Sequence, residues 1–404
     1  MGIVILGAGH GGAQLAASLR GEGYAGAITL VSDEADLPYH KPPLSKSFMK
    51  EVDTPLQPLR GPGFYADKSI DLALGIAVTQ IDRAAKTVIF ADGSVLGYDQ
   101  LVLATGTTAR RLTVPGADLP HVFHLRSATD ARAMRAALPG VARVVVIGGG
   151  FIGLEAAAML AARGLLVQVV EMAPQVLGRA VSPAMAQAVA DYLTAQGVGL
   201  HLGAGIAAVR PDSVAVGDSS VLPADMVVVG IGAVPEVALA QAAGLACDNG
   251  IVTDAQLATS DPHIHAIGDC AAYPQAQLGR MARLESVQNA ADQARVLAKT
   301  LTGNPVSYDA LPWFWSDIGT QKLQIVGLSQ DADEGIIVRR ADGTLQSVWR
   351  LAQGRLVAVE TINSAGEHML ARRLIAEGIT PERSAMQSGD MAVLKAAYAT
   401  AKGA

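Results

Sequence analysis

Hydrophobic residues are unevenly spread along this chain. Two runs, IVIL at 3–6 and VVVI at 144–147, are apolar at every position, the pattern of a parallel strand buried on both faces. Each is followed by a glycine-rich turn and a helical pattern that ends near Arg20 or Arg163. A second strand then follows, ITLV at 28–31 or VQVV at 167–170. Downstream of each unit the period changes to two. Residues 77–106 alternate through the turn Asp92-Gly93 to a buried strand ending at Thr105-Gly106. Residues 206–232 alternate in the same way to Gly230-Ile231-Gly232. The chain therefore carries one plan twice: a strand–helix–strand half, a meander and a closing strand.

A later apolar run, IHAIG at 264–268, stops at Asp269. A strand that late implies that the second copy is inserted into the first. The expected divisions are 1–108 and 237–308 for the first domain, 109–236 for the second and 309–404 for a third. Residues 281–303 have helical amphipathicity with Gly303 as the stop. Beyond about Tyr308, residues 322–328, 335–340, 345–351 and 356–362 predict antiparallel strands and 365–378 a helix. The expected class is α/β, with two Rossmann-like dinucleotide-binding domains and a C-terminal α+β interface domain.

The turns carry the chemistry. Gly7, Gly9 and Gly12 have G-x-G-x-x-G spacing, and Gly148, Gly150 and Gly153 repeat it. In a strand–turn–helix setting this spacing permits a tight turn, backbone approach to a pyrophosphate and close helix packing. Phosphates are drawn to the free N–H groups at the helix start. Asp33 and Glu171 follow the second strands, where a carboxylate meets ribose hydroxyls. Glu171 is followed by Met172, Ala173 and Pro174 rather than arginines, which favours NADH over NADPH. Two dinucleotide sites make redox sense when one holds a flavin and the other admits a nicotinamide.

Composition narrows the partners. Half of the 404 residues are hydrophobic, 17% are charged and the net charge is −6. An acidic chain argues against nucleic acid. The glycines within 144–162 argue for strand–turn–helix and against a membrane span there. The two cysteines, Cys247 and Cys270, imply neither a disulfide framework nor a metal site, and the expected location is cytoplasmic.

Beyond the glycine motifs, the chain carries LPYHKPPLSK (37–46), LVLATG (101–106), DPHIHAIGDC (261–270), LESVQNAADQA (284–294) and PWFWSD (312–317). Together these resemble the FAD-dependent NADH:ferredoxin reductases of the putidaredoxin reductase and aromatic-ring dioxygenase type, over about residues 3–330. The resemblance implies a glutathione-reductase-like two-dinucleotide fold. It also implies electron transfer from NADH through FAD to a 2Fe–2S ferredoxin, which serves a haem-thiolate monooxygenase or a ring-hydroxylating dioxygenase. It assigns Gly7, Gly9, Gly12, Asp33, Lys46, Val78, Arg126, Asp269 and Val287 to FAD. For NADH it assigns Gly148, Gly150, Gly153, Glu155, Glu171, Arg179, Gly232 and Glu285.

Lys46 and Glu155 would meet where nicotinamide reaches flavin, with the lysine placing positive charge near the flavin as it gains negative charge. Trp315 would cover the flavin on the side where ferredoxin docks. Lys322 and the pairs Arg110-Arg111, Arg339-Arg340 and Arg372-Arg373 are candidates for a basic patch facing an acidic ferredoxin. The family commonly continues WSDQ, whereas Ile318 follows Asp317 here. A rubredoxin reductase is a close alternative, and an apoptosis-inducing-factor-like flavoprotein a more distant one. A disulfide or peroxide reductase would need a redox cysteine within residues 37–50, and that segment has none.

Overall fold

The computed structural model describes residues 2–49, 51, 53–178, 180–217 and 219–403. They form two compact units, each discontinuous in sequence. One comprises Met1–Lys41, Pro55–Thr108 and Ala233–Ala310; the other comprises Pro42–Thr54, Ala109–Gly232 and Leu311–Ala404.

The first unit is built on a five-stranded parallel sheet in the spatial order Ile264–Ala266, Gln100–Leu103, Gly2–Leu6, Ala27–Ser32, Ile70–Leu74. Its central strand Gly2–Leu6 is apolar and buried throughout because both faces are covered. Ile3 and Ile5 pack with Leu15 and Leu19 of the helix His10–Gly21 and with Leu297 of the helix Val287–Leu301. Val4 and Leu6 point the other way, onto Ile81, Val88 and Phe90 of the meander Val78–Asp82, Thr87–Phe90 and Val95–Gly97. The alternation of side chains along a strand thus sets two cores.

The second unit repeats this sheet. Gly199–Leu202, Leu166–Glu171, Arg143–Ile147, Met226–Val229 and Val122–His124 run parallel in that order. Val145, Ile147, Val227 and Val229 pack on Val209, Val214 and Val216 of the second meander. The unit also holds an antiparallel sheet ordered Trp313–Ile318, Gln321–Gly327, Arg355–Ile362, Leu345–Ala352, Glu334–Arg339. Leu370, Leu374, Met386 and Leu394 from the terminal helices cover it. Two buried carboxylates tie this region together. Glu367 accepts from Ser347 Oγ and Trp349 Nε1. Glu360 accepts from the backbone N–H and the hydroxyl of Ser182, which caps the helix Pro183–Ala195. Burial pushes the Glu360 carboxyl above its ordinary range, partly offset by the Ser182 hydrogen bonds.

The segment Pro42–Thr54 packs with the second unit. Arg135 Nη1 points at the carbonyls of Phe48, Glu51 and Thr54, and its guanidinium lies 3.9 Å from the Phe48 ring centroid. Arg163 donates to the Met49 carbonyl at 2.8 Å. One sequence expectation needs correction: the helix predicted from residue 281 begins at Val287. Arg280–Ala282 instead pair with Ala271–Gln275 as a strand, and Ser286 Oγ caps the helix by accepting from Asn289 N at 3.0 Å. No helix among the described residues is long and apolar enough to cross a membrane.

Candidate functional site

The two glycine loops are built alike. Gly7 N–H donates to the Val31 carbonyl and Gly148 N–H to the Val170 carbonyl, both at 2.8 Å. Gly7 and Gly148 adopt φ of +108° and +107°, and a Cβ on either would strike the carbonyl of the neighbouring strand, at Ala104 or Gly230. The third glycines, Gly12 and Gly153, sit against the carbonyls of Gly7 and Gly148. A Cβ there would lie 1.9 or 2.2 Å from the oxygen. The second glycines differ from both. Around Gly9 nothing lies within 4 Å of an added Cβ, and around Gly150 only one carbonyl does, at 3.9 Å. Neither following helix has a side-chain cap or an acid in its first turn. Free N–H groups and an open approach are what a pyrophosphate requires, so both loops fit one.

The acids beside the loops are used differently. Glu171 Oε2 accepts from Gly149 N at 2.6 Å and Oε1 from Ala173 N at 2.7 Å. The matching register in the first unit puts Ser32 at that place, because Val31 and Val170 are equivalent. Asp33 stands one residue further on and is exposed. Val78 lies beside this strand end, since Ile76 N donates to Ser32 O and Gly75 N to Glu34 O.

Asp269 occupies the turn Gly268–Cys270 that follows the strand Ile264–Ala266. Gln293 Oε1 accepts from Gly268 N at 2.6 Å and so fixes that turn. An added Cβ on Gly11 or Gly268 would touch Ala290, one turn into the helix that Val287 begins. The first unit thus gathers Gly7, Gly9, Gly12, Asp33, Val78, Asp269 and Val287 around the carboxyl ends of its strands, where open α/β sheets bind ligands. Glu285 also belongs to the first unit, exposed and paired with Arg283 at 2.7 Å.

In the second unit Gly232, exposed with φ +105°, follows the strand next to the Gly148 loop. Arg126 follows the edge strand Val122–His124, just before the helix Ala128–Ala137. Arg179 lies outside the described residues.

The helix Phe151–Ala162 carries Glu155, only 7% exposed. Three groups from two other chain segments hold its carboxylate. Lys46 Nζ lies 2.8 Å from Oε1, Ser316 Oγ donates to Oε1 at 2.6 Å, and Ser45 Oγ donates to Oε2 at 2.6 Å. Every oxygen has a donor, which is how a buried carboxylate stays tolerable. Ser45 and Ser316 were not singled out in the sequence, although both lie inside its quoted motifs. The available signal for Ser316 was the strand period, which sets it on the face opposite Trp315.

Trp313 and Trp315 share one face of their strand, with ring centroids 5.5 Å apart. Arg372 lies over Trp313 at 4.7 Å. Lys322 is directly across from Asp317 in the neighbouring strand, so it belongs to the tryptophan face. Arg340 instead donates to the carbonyls of Leu345 and Ile362, Arg339 to that of Gly343, and Arg111 faces His124.

Comparison with known proteins agrees with this architecture. Residues 1–294 match the model described as pyridine nucleotide-disulphide oxidoreductase, and residues 313–397 the one described as reductase C-terminal. Rhodocoxin reductase of Rhodococcus erythropolis is 43% identical over 399 residues, covering 97% of this chain and 93% of the relative. The solved ferredoxin reductase for the CYP199A2 system from Rhodopseudomonas palustris superposes with a TM-score of 0.94 at 42% identity, covering 98% and 99% of the two chains. The putidaredoxin reductase in its covalent complex with putidaredoxin gives 0.94 at 38% identity, covering 100% and 99%.

Proposed function

Because the chain belongs to the pyridine nucleotide-disulphide oxidoreductase family, we propose that it is an FAD-dependent NADH:ferredoxin reductase supplying electrons to an oxygenase through a 2Fe–2S protein. FAD, when bound, supplies the chemistry: it takes a hydride, and with it two electrons, from NADH and releases electrons singly. The observation that carries the reading is the pair of uncapped glycine-loop helices with open second glycines, of which the second carries a buried glutamate paired with a lysine. Two relatives carry ferredoxin in their descriptions or are solved with a redoxin partner, which supports an iron–sulfur acceptor.

In this reading Gly7, Gly9 and Gly12 hold the FAD pyrophosphate, and Asp33, Val78, Asp269 and Val287 contact the rest of the cofactor, with Arg126 near the flavin. Gly148, Gly150 and Gly153 hold the NADH pyrophosphate, with Gly232 lining that site. Glu171 orients the ribose and repels a 2′-phosphate, so NADH is preferred. Glu155 fixes the Lys46 ammonium, which offsets negative charge arising on the flavin. Trp315 faces the ferredoxin, and Arg372, over Trp313, and Lys322, across from Asp317, place positive charge on the same strand face, suited to an acidic partner. Both cysteines are free thiols, which suits the reducing cytoplasm.

The test is NADH-dependent reduction of cytochrome c through an added 2Fe–2S ferredoxin, with NADPH, rubredoxin and oxidised glutathione as comparisons. A yellow protein that turns over with NADH only when the ferredoxin is present is the expected result. Oxidation of NADH without reduction of any iron–sulfur or rubredoxin acceptor overturns the reading.

A further inference from the structure

Strand Trp313–Ile318 lies along the helix Phe151–Ala162 in matched steps. The Phe314 and Phe151 ring centroids are 4.5 Å apart, and Ser316 Oγ is 2.6 Å from Glu155. Residues 151 and 155 are separated by about 6 Å of helix rise. Residues 314 and 316 are separated by about 6.7 Å of strand. The two elements therefore stay in step, while Trp313 and Trp315 face the other way.

We infer that Ser316 is a positioning residue: from the strand that presents Trp315, it fixes the carboxylate of Glu155 and, through it, the ammonium of Lys46. The inference rests on the proposed role of Lys46 and Glu155 in reduction of the flavin by NADH. Oε1 of Glu155 is shared between the Ser316 hydroxyl and the Lys46 ammonium. With the hydroxyl present, the oxygen is held by a neutral donor and Lys46 keeps part of its positive charge for a neighbour. Without it, Lys46 is the remaining partner of that oxygen among the described contacts and is drawn onto the carboxylate. Ser316 is fully buried, so water does not replace the lost donor. The face that meets the electron acceptor and the group that serves the hydride donor are thereby set by adjacent residues of one strand.

The experiment compares wild type, Ser316→Ala, Ser316→Thr and Ser316→Cys as FAD-loaded enzymes, mixed anaerobically with NADH in the absence of any acceptor. Flavin content, bleaching rate, the isotope effect with NADH deuterated at the transferred position, and the flavin midpoint potential are read. For Ser316→Ala the expected result is normal flavin content and an NADH half-saturation within about twofold. The limiting rate falls about tenfold, and the isotope effect is larger because hydride transfer is slowed selectively. The two-electron potential moves to more negative values by about 15–30 mV, the equivalent of a threefold to tenfold change in equilibrium constant. Ser316→Thr, which keeps the hydroxyl, restores most of the rate. Ser316→Cys, a similar volume with a weaker donor, falls between them and serves if the alanine variant does not fold.

A rate that falls only in proportion to flavin content, with isotope effect and potential unchanged, overturns the inference and leaves Ser316 a packing residue. Unchanged reduction by NADH overturns it too, because the Lys46–Glu155 pair then works without the Ser316 hydroxyl. Wild-type flavin that NADH does not bleach overturns the functional reading itself and the role of Ser316 with it.

Discussion

Gln14 and Glu155 occupy equivalent places, each two residues beyond the third glycine of its loop. Gln14 is neutral and accepts from Arg60 at 3.1 Å. Glu155 is charged, buried and bound to Lys46 and two serines. The backbones around them are near copies, down to the direction in which each loop glycine leaves its strand. In the proposed reading one scaffold serves two ligands, and the difference lies in what the helix presents after the phosphate site. The first helix presents a neutral amide, appropriate to retention. The second presents a carboxylate that holds a cation, appropriate to a ligand that arrives, reacts and leaves.

The sharpest way to break this comparison is to make the same change in both loops. Gly12→Ala and Gly153→Ala each place a methyl about 2 Å from a carbonyl oxygen, too close to tolerate without moving the helix. Gly12→Ala is expected to yield protein lacking the flavin absorbance near 450 nm. Gly153→Ala is expected to keep its flavin and lose kcat/KM for NADH by at least about a hundredfold, the scale of a misplaced reactant. Equal flavin loss in both would mean that the loops are not specialised.

Next in size is the residue pair itself. Glu155→Gln preserves shape but no longer fixes the Lys46 ammonium in place, and anaerobic bleaching by NADH should slow about 10- to 100-fold. Gln14→Glu, which gains an ion pair with Arg60, should stay within about twofold of wild type. Comparable losses at both positions would erase the distinction.

Much of this contrast was legible before any coordinates. Continuous apolar strands and G-x-G-x-x-G spacing announce each half because a parallel strand covered on both faces has no polar side to show. The late strand at 264–266 was visible for the same reason. The helix start at Val287 was not, since Met281 and Ala282 extend the apolar pattern backward while a strand pairing and the Ser286 cap decide the boundary. Nor was the attachment of Pro42–Thr54 to the second unit, which depends on Arg135 and Arg163 engaging backbone carbonyls that carry no sequence signature. The three donors on Glu155 come from stretches more than a hundred residues away, a proximity that only the fold supplies.

A smaller effect should separate the acids beside the loops. Glu171→Ala removes the acceptor of Gly149 N and Ala173 N. The preference for NADH over NADPH, measured as the ratio of kcat/KM values, should fall about tenfold, with flavin content unchanged.

The last expected effect concerns stability and leaves the comparison of the loops untouched. All three tryptophans belong to the second unit. Behind Trp313 lies His368, buried, 6.0 Å away between ring centroids, and with no hydrogen-bond partner for either ring nitrogen among the described residues. Burial, helped by the nearby Arg372, lowers its pKa to about 4. The unfolded chain, near 6.5, therefore binds the proton more readily than the folded one. The contribution is present above about pH 6.5 and drains away as pH falls toward 4, by up to roughly 3 kcal/mol. Tryptophan fluorescence followed during acid titration should show this loss, and His368→Phe should flatten it. Identical profiles for variant and wild type would rule the histidine out as its source.

The interleaving of the two units has a consequence for synthesis. The sheet of the second unit's Rossmann half is complete once residue 229 has been made, and its strands need nothing from later in the chain to pair. The first sheet is earlier in sequence but finishes later. Strand Gln100–Leu103 must wait for Ile264–Ala266, a gap of about 160 residues, or roughly 8–30 s at ordinary rates of translation. During that interval one edge of the nascent sheet, apolar and unpaired, is open to any other strand. The turn bearing Asp269 and the helix that braces it emerge later still. The sheet begun first is thus the last to be completed, and the nascent chain is most vulnerable to mispairing while the second unit's Rossmann half is being translated.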